Sequence, residues 1–327
     1  DILIARRNVY LKRAGIVFFD GITSGDSIIL RLKEDTQKTI GYSREDLIRY
    51  IPFMLNSEHF WIYANKHADG MNSKRISKDT LLEYEFELPS IDEMRDISDK
   101  LWAAYRLKEA YKKLLVTTDE MVKSQFIEMF GNPLSSKQKN ELKRLGQCCI
   151  INPRRPNIAL CDTDKVSFIP MPAVSEDGYL VDMADEEYGK VKKGFTYFEN
   201  NDVLFAKITP CMENGKGAIA YGLTNGIGVG STEFHVLRPI NGISSPYWLL
   251  TLTRMPIFRE RAAKNMSGTG GQKRVSASYL NHFMVGLPAI EEQRRFEAIY
   301  RQADKSKFEL RKSIDAIDKV IKSLINN

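Results

Sequence analysis

Cysteine and histidine are scarce in this 327-residue chain, with four of each. Cys148, Cys149, Cys161 and Cys211 show no C-x-x-C spacing and no neighbouring histidine cluster, which excludes a zinc site and a disulfide scaffold; they read as buried thiols in a reducing cytoplasm. His59, His67, His235 and His282 are scattered, with no acid or nucleophile at a catalytic spacing. No apolar run approaches the ~20 residues of a bilayer span, and no charged-then-apolar leader opens the chain. A soluble, cytoplasmic protein without membrane contact is expected. A nucleotide-hydrolysis loop is also absent. In "SGTGGQKRVSASYL" Gln272 precedes Lys273 and Arg274 follows it, where a P-loop needs Gly before its Lys and Ser or Thr after it. "NGIGVGS" at 225–231 leads into a strand rather than a helix, so it reads as a flexible hairpin loop and not a cofactor turn. "NPLS" at 132 and "NPRR" at 152 lack the Asn-Pro-Pro-aromatic pattern that holds a flipped adenine. The chain therefore offers no active site of its own and is read as non-catalytic, with no metal and no cofactor bound.

What the chain does have is length, basic residues and an internal repeat. At this size it exceeds one ordinary core. Lys and Arg total 48 against 42 Asp and Glu, a formal charge of +6, which favours an acidic partner only if the excess gathers on one face. "DILIAR" at 1–6 matches "DVLFAK" at 202–207, "SKRIS" at 73–77 matches "QKRVS" at 272–276, and "LPSIDEMRDI" at 88–97 matches "LPAIEEQRRF" at 287–296. Three matches in one order imply two copies of one unit. Residues 140–201 have no counterpart ahead of Asp1, so the first copy is expected to lack roughly its first third.

Each copy divides into a globular part and a helix: 1–88 then 89–133, and 134–287 then 288–327. The globular parts are of mixed α/β (α+β) character. "DVLFAKI" and "STEFHVLRP" alternate as strands, and "SPYWLLTLTRMPIFRERAAK" is an amphipathic helix interrupted at Pro256. In the second helical part Phe296, Ala303, Leu310, Ile317 and Leu324 recur at seven, with Ile299, Ile314 and Ile321 beside them. In the first, Ile97, Ala104 and Tyr111 recur at seven, as do Leu107, Leu114 and Met121, before "GNP" at 131–133 ends the helix. Such stripes need a partner. An antiparallel two-helix coiled coil within one chain, with pseudo-twofold repetition of the globular parts, is the simplest arrangement; pairing with another protein is the alternative.

The basic loops are the candidate binding residues. Gly268, Thr269, Gly270, Gly271, Gln272, Lys273 and Arg274 bring main-chain N–H groups and cations to one turn, suited to a polyanion. The matching loop holds Asn72, Ser73, Lys74 and Arg75, with different glycines and the same Lys-Arg pair. Lys207, Thr209 and Lys216 sit in "FAKITPCMENGKG", with Arg6 and Arg7 in the corresponding stretch of the first copy. Arg154 and Arg155 lie between prolines in "NPRRPN". Solvated basic turns remain the other reading of all of these.

The ordered set "DVLFAKITPCMENGKGAI", "GSTEFHVLRP", "SGTGGQKRVSASYL" and "LPAIEEQRRF", with "KSQFIEMFGNP" closing the central helix, resembles the specificity subunits of Type I restriction-modification systems. The resemblance implies that each globular part is a target recognition domain reading one half of a bipartite site on double-stranded DNA, while the paired helices set the spacing. It implies as partners two methyltransferase subunits, which carry S-adenosylmethionine, and a restriction-translocase subunit. It further implies that the 268–274 loop lies at the DNA and that "LPSIDEMR" and "LPAIEEQR" help dock the methyltransferase. Replacing Lys273 and Arg274 by Ala is then expected to weaken DNA binding and leave the fold intact. A coiled-coil structural adaptor without DNA contact and a degenerate methyltransferase component are the rival readings.

Overall fold

The computed structural model describes residues 1–33, 35–131, 140–269 and 271–326, which form two compact units. Unit 1 is built from Asp1–Val116 and Lys307–Asn327, and unit 2 from Thr117–Ser306.

Unit 2 is organised around the strand Val203–Ala206, buried along its whole length. Side chains alternate across a strand, so Val203 and Phe205 meet Trp248, Leu249 and Leu252 of the helix Pro246–Arg254, while Leu204 and Ala206 meet Ile169 and Phe198. A strand covered on both faces can be apolar throughout, which explains the unbroken "VLFA". Its sheet is antiparallel, in the order Gly217–Ile219, Val203–Ala206, Phe234–Pro239, Cys149–Ile151. A second sheet runs Ala184–Glu187, Lys165–Ile169, Ile227–Gly230, Thr196–Glu199, and Met284–Leu287 pairs with Glu141–Arg144. The helix broken at Pro256 is observed as Pro246–Arg254 followed by Pro256–Lys264.

"NGIGVGS" is not a hairpin loop. Its residues Ile227–Gly230 form an inner strand, parallel to Lys165–Ile169 and antiparallel to Thr196–Glu199. The glycines are there for closeness: a Cβ on Gly228 would lie 2.0 Å from the Phe198 ring, and one on Gly230 would lie 2.2 Å from the Ile169 carbonyl oxygen.

Unit 1 repeats the first of these sheets with three strands, Ala14–Ile16, Ile2–Ala5 and Ser27–Leu30. Ile2 pairs with Ile16 and Leu30 as Val203 pairs with Ile219 and Leu237. Ile2 and Ile4 are buried against the helices Arg44–Met54 and Glu58–Lys66 through Leu55, Phe60 and Trp61. Serine caps recur: Ser77 accepts from the Thr80 N–H and Ser276 from the Tyr279 N–H, opening Lys78–Leu82 and Ala277–His282. Ahead of the central helix, Ser90 and Glu93 form a capping box.

The helices Ile91–Phe130 and Ile290–Asn326 supply each other's partner, antiparallel within each unit. In unit 1 Ile97 and Leu101 share a cleft with Leu324 and Ile325, and Lys108 reaches Asp318. In unit 2 Phe126 and Phe130 pack edge-on to Phe296, their ring centroids 5.2 and 5.6 Å from it, and Asp119 lies near Tyr300. Gly131, at φ +72°, follows the central helix as its stop signal; Asn132 and Pro133 lie outside the described residues.

One stripe needs correction. Leu107, Leu114 and Met121 are 45, 48 and 45 % exposed and face away from the seam. The residues that turn inward beside Ile97, Ala104 and Tyr111 are Met94, Leu101, Leu115, Val122 and Met129. Lys108 stands in that row, its stem along the seam and its ammonium on Asp318, so an apolar count passes over the true register. The cysteines also divide. Cys148 and Cys149 are fully buried, and burial raises both thiols, Cys148 to about 11; Cys161 is exposed and Cys211 half-buried.

Candidate nucleic-acid interface

Both units carry the same strapped hairpin at one end of the first sheet. In unit 2 Ser267 and Arg274 exchange backbone hydrogen bonds of 3.0 and 2.8 Å; in unit 1 Asp69 and Arg75 exchange bonds of 2.9 and 2.8 Å. Two further backbone bonds fix each hairpin to the residues that follow the strand opening the repeat, and a third ties those residues to the strand beside it. The Lys207 N–H donates to Glu233, Val275 to Lys207, and Thr209 to Lys273. In unit 1 Arg6 donates to Asp26, Ile76 to Arg6, and Asn8 to Lys74.

The repeated "KR-I/V-S" divides its labour. Val275 and Ile76 are core residues, 1 % and 0 % exposed, and the serine after each is the helix cap already described. The Arg274 guanidinium donates to both oxygens of Glu233, at 2.7 and 2.9 Å. Arg75 donates to Asp26 at 3.0 Å, and Arg7 shares that carboxylate at 3.4 Å while its Nε donates to Ser73. The Arg274 hydrogen bonds hold the Glu233 carboxyl below its usual range. These arginines are tied into the hairpin base, so replacing Arg274 disturbs the turn as well as removing a cation. The lysines beside them are exposed: Lys273 stands at the turn, and Lys74 donates to the Asn65 carbonyl.

The first hairpin has its glycine after all. Gly70 and Gly268 take φ of +108° and +135°, and a Cβ on them would stand 2.9 Å from the Ser73 oxygen and 2.5 Å from the Gln272 oxygen. Only glycine fits where the turn doubles back. Gly271, at φ +77°, and Gln272 are exposed, as is Thr269; Gly270 lies outside the described residues. Asn72 is exposed at the first turn, and Ser73 bridges Arg7 to Asn8.

In unit 2 the hairpin meets Lys207 and Thr209 directly, the Thr209 hydroxyl donating to the Lys273 carbonyl at 3.1 Å. Lys216 joins them, since its carbonyl accepts from Ala206 in the neighbouring ladder. Lys207, Lys216 and Lys273, with the turn's main chain, thus collect at one sheet end, an arrangement able to hold phosphate oxygens. Neither Arg154 nor Arg155 bonds to these lysines or to the hairpin among the described residues. Arg155 stacks 4.7 Å over the Tyr188 ring and donates to the Lys192 carbonyl, while Arg154 is exposed.

Two supporting elements escaped the sequence reading. His235, buried behind the hairpin, donates from Nε2 to the Val275 carbonyl at 2.8 Å and accepts at Nδ1 from Asn152, and burial lowers its pKa. Asp202 takes Arg238 in two hydrogen bonds of 2.8 and 2.7 Å, with Glu199 on the same guanidinium; Asp1 and Arg31 form the same pair in unit 1 at 2.8 and 2.5 Å. The repeated Asp at the strand start and the "LR" of "IILRL" and "HVLRP" were the available signal. In "LPSIDEMR" and "LPAIEEQR" the equivalent residues Met94 and Gln293 are fully buried, Gln293 accepting from Ser245 and donating to Ile243 and Pro288. Arg95 pairs with Asp46, leaving Glu291, Glu292, Arg294 and Arg295 at the surface.

Comparison with known proteins agrees with this architecture. Residues 137–317 match the model of the Type I restriction modification DNA specificity domain. The Type I restriction enzyme EcoAI specificity subunit of Escherichia coli is 38% identical over 170 residues, which is 50% of this chain and 29% of that protein. The EcoEI specificity subunit of Escherichia coli is 35% identical over 188 residues, 55% of this chain and 31% of that protein. The aligned stretches thus span less than a third of either relative. A chain from a structural study of the assembly and conformational transition of the type I R-M system shares the fold, with a TM-score of 0.57 at 15% identity over 99% of this chain and 80% of that one.

Proposed function

Because the chain belongs to the Type I restriction modification DNA specificity family, we propose that it binds double-stranded DNA and reads part of its sequence. The strapped hairpin of unit 2, with Lys207, Lys216 and Lys273 gathered at one sheet end, carries this reading. The lysines and turn amides neutralise and position phosphates, and the polar tip at Thr269 and Gln272 meets base edges. Unit 1, with the same hairpin base and Asn72 and Lys74 at its turn, contacts a second part of the site. The chain itself performs no chemistry. It acts with a methyltransferase, two copies of which bring S-adenosylmethionine to the DNA, and with a restriction-translocase subunit. The charged surface residues of "LPSIDEMR" and "LPAIEEQR" serve those subunits.

The test is duplex binding by fluorescence anisotropy across a salt series, with the methyltransferase partner present. Lys273→Ala and Lys216→Ala should each weaken binding on all sequences and reduce the salt slope by about one phosphate contact. Gln272→Ala should relax sequence preference. Affinities and slopes equal to the parent's in all three variants would remove the hairpin from the interface.

A further inference from the structure

Lys216 differs from Lys207 and Lys273 in how it reaches the sheet end. Lys207 follows a buried strand and Lys273 stands in the strapped hairpin, whereas Lys216 closes a turn of its own, residues 208–216. That turn bonds within itself: Met212 donates to Ile208, Asn214 to Pro210, Gly215 to Met212 and Lys216 to Cys211, at 2.9 to 3.0 Å. Its outer limb, 213–215, is held from the helix Pro256–Lys264.

Arg259 makes that hold. Its Nη1 donates to the Glu213 carbonyl and its Nε to the Arg254 carbonyl at 3.2 Å, and its stem lies along Gly215, where a Cβ would come within 3.4 Å of it. Arg254 grips the neighbouring turn in the same way. Its Nη2 donates to the Glu176 carbonyl at 2.6 Å, and a Cβ on Gly178 would stand 2.7 Å from its Nη1. Asn214 joins the two turns by donating to the Glu176 carboxylate at 2.8 Å, and the Tyr179 hydroxyl donates to Asp304 of the helix Ile290–Asn326.

The chemistry of Arg259 is not that of a packing residue. It is half-buried, and among the described residues its guanidinium and that of Arg254 are given to carbonyl oxygens, not to carboxylates. Burial, and next the Arg254 charge beside it, lower the Arg259 pKa. A cation withdrawn from water without a counter-ion is costly. Unit 1 shows that the cost is avoidable. Its helix Glu58–Lys66 corresponds to Pro256–Lys264, with Phe60 at the place of Phe258 and Trp61 at the place of Arg259. Trp61, 1 % exposed, belongs to the core that holds Val9 of the turn Val9–Leu11. Arg13 ends that turn where unit 2 has Lys216, its carbonyl accepting from Ala5 as that of Lys216 accepts from Ala206. One helix position thus supports the same turn in both units, through an indole in one and through directed hydrogen bonds in the other. What the guanidinium adds is direction, because its planar N–H groups fix the orientation of the carbonyls they hold.

Resting on the DNA reading above, we propose that Arg259 is a positioning residue of the nucleic-acid face: by holding the 213–215 limb it sets where Lys216 meets a phosphate beside Lys207 and Lys273. Arg259 acts through the turn and makes no DNA contact of its own.

The experiment measures duplex binding by the full chain with the methyltransferase partner, across a salt series, for Lys216→Ala, Arg259→Met, Arg259→Lys and the two double variants that add Lys216→Ala. Arg259→Met and Arg259→Lys should each weaken binding about fivefold and lower the salt slope by the one phosphate contact that Lys216→Ala also removes. Each double variant should bind as Lys216→Ala alone does, within about twofold, because the turn then has no cation left to misplace. Hydrogen exchange should quicken at 211–216 and stay parental in the strand Val203–Ala206. Parental affinity in Arg259→Lys overturns the proposal, since charge alone would then suffice. Additive losses in the double variants overturn it too, as does exchange that quickens through Val203–Ala206, because either makes Arg259 a general support of the fold. Lys216→Ala without effect would instead remove the DNA reading at this turn, and the inference with it.

Discussion

Units 1 and 2 share a frame and differ in closure. The strand Val203–Ala206 is buried at every residue, whereas in Ile2–Ala5 only Ile2 and Ile4 are. Leu3, which corresponds to Leu204, has no second sheet over it among the described residues. The connection that in unit 2 carries Ile227–Gly230 into that second sheet holds Phe18, Phe19 and Ile22 in unit 1, exposed by 78, 77 and 104 %. What survives in both units is the sheet, its Asp–Arg pair and the strapped hairpin. The hairpin is therefore a property of the repeated frame, held by the strand that opens each copy and the strand paired with it.

The largest difference should appear at the Asp–Arg pair. Asp202 has 2 % of its side chain exposed, so Asp202→Ala leaves Arg238 short of its buried partner and should cost unit 2 about 3–5 kcal/mol. Arg31 is 71 % exposed, and Arg31→Ala should cost unit 1 about 1 kcal/mol or less; denaturant melts followed by hydrogen exchange in each unit read the contrast. Equal losses would mean that unit 1 is closed in solution.

Next come the glycines. Gly228→Ala drives a methyl into the Phe198 ring and should destabilise unit 2 by about 1–3 kcal/mol. Gly25, in the corresponding connection of unit 1, has no atom within 4 Å of a built Cβ, and Gly25→Ala should change stability by about 0.5 kcal/mol or less in the same melts.

The smallest effect is pH dependence. Burial lowers the His235 pKa below its ordinary 6.5, so the unfolded chain takes up this proton first as the solution is acidified. Above 6.5 both states are neutral and the term vanishes. Below it, unit 2 should lose stability at up to about 1.4 kcal/mol per pH unit until the folded histidine protonates. Unit 1 places Ile28 at the corresponding ladder position, so this term is confined to unit 2. His235→Gln should flatten the slope between pH 6.5 and 5.5; an unchanged slope would assign it elsewhere.

Much of this was legible in the chain because periodicity and short-range chemistry leave local marks. The repeat showed in "DILIAR" and "DVLFAK", the helix break at Pro256, and the stop at Gly131. The readings that failed depended on a neighbour far along the chain. Gly228 looks like a loop glycine until Phe198 is beside it, and Leu107 looks like a seam residue until Lys108 is found reaching Asp318. The candidate loop was found, yet the roles within it were not. Lys273 and Arg274 are equivalent as letters, and only Glu233, 41 residues from Arg274, separates an anchored cation from an exposed one.

By itself, then, the sequence determined the duplication, the mixed sheet-and-helix units and the paired long helices, since hydrophobic period and capping residues act over a few positions. The tertiary structure alone decided which face of the central helix turns inward, which glycines exist for close packing, and which basic side chains are committed to the fold. Those outcomes are set by contacts between residues tens to hundreds of positions apart, and no local pattern encodes them.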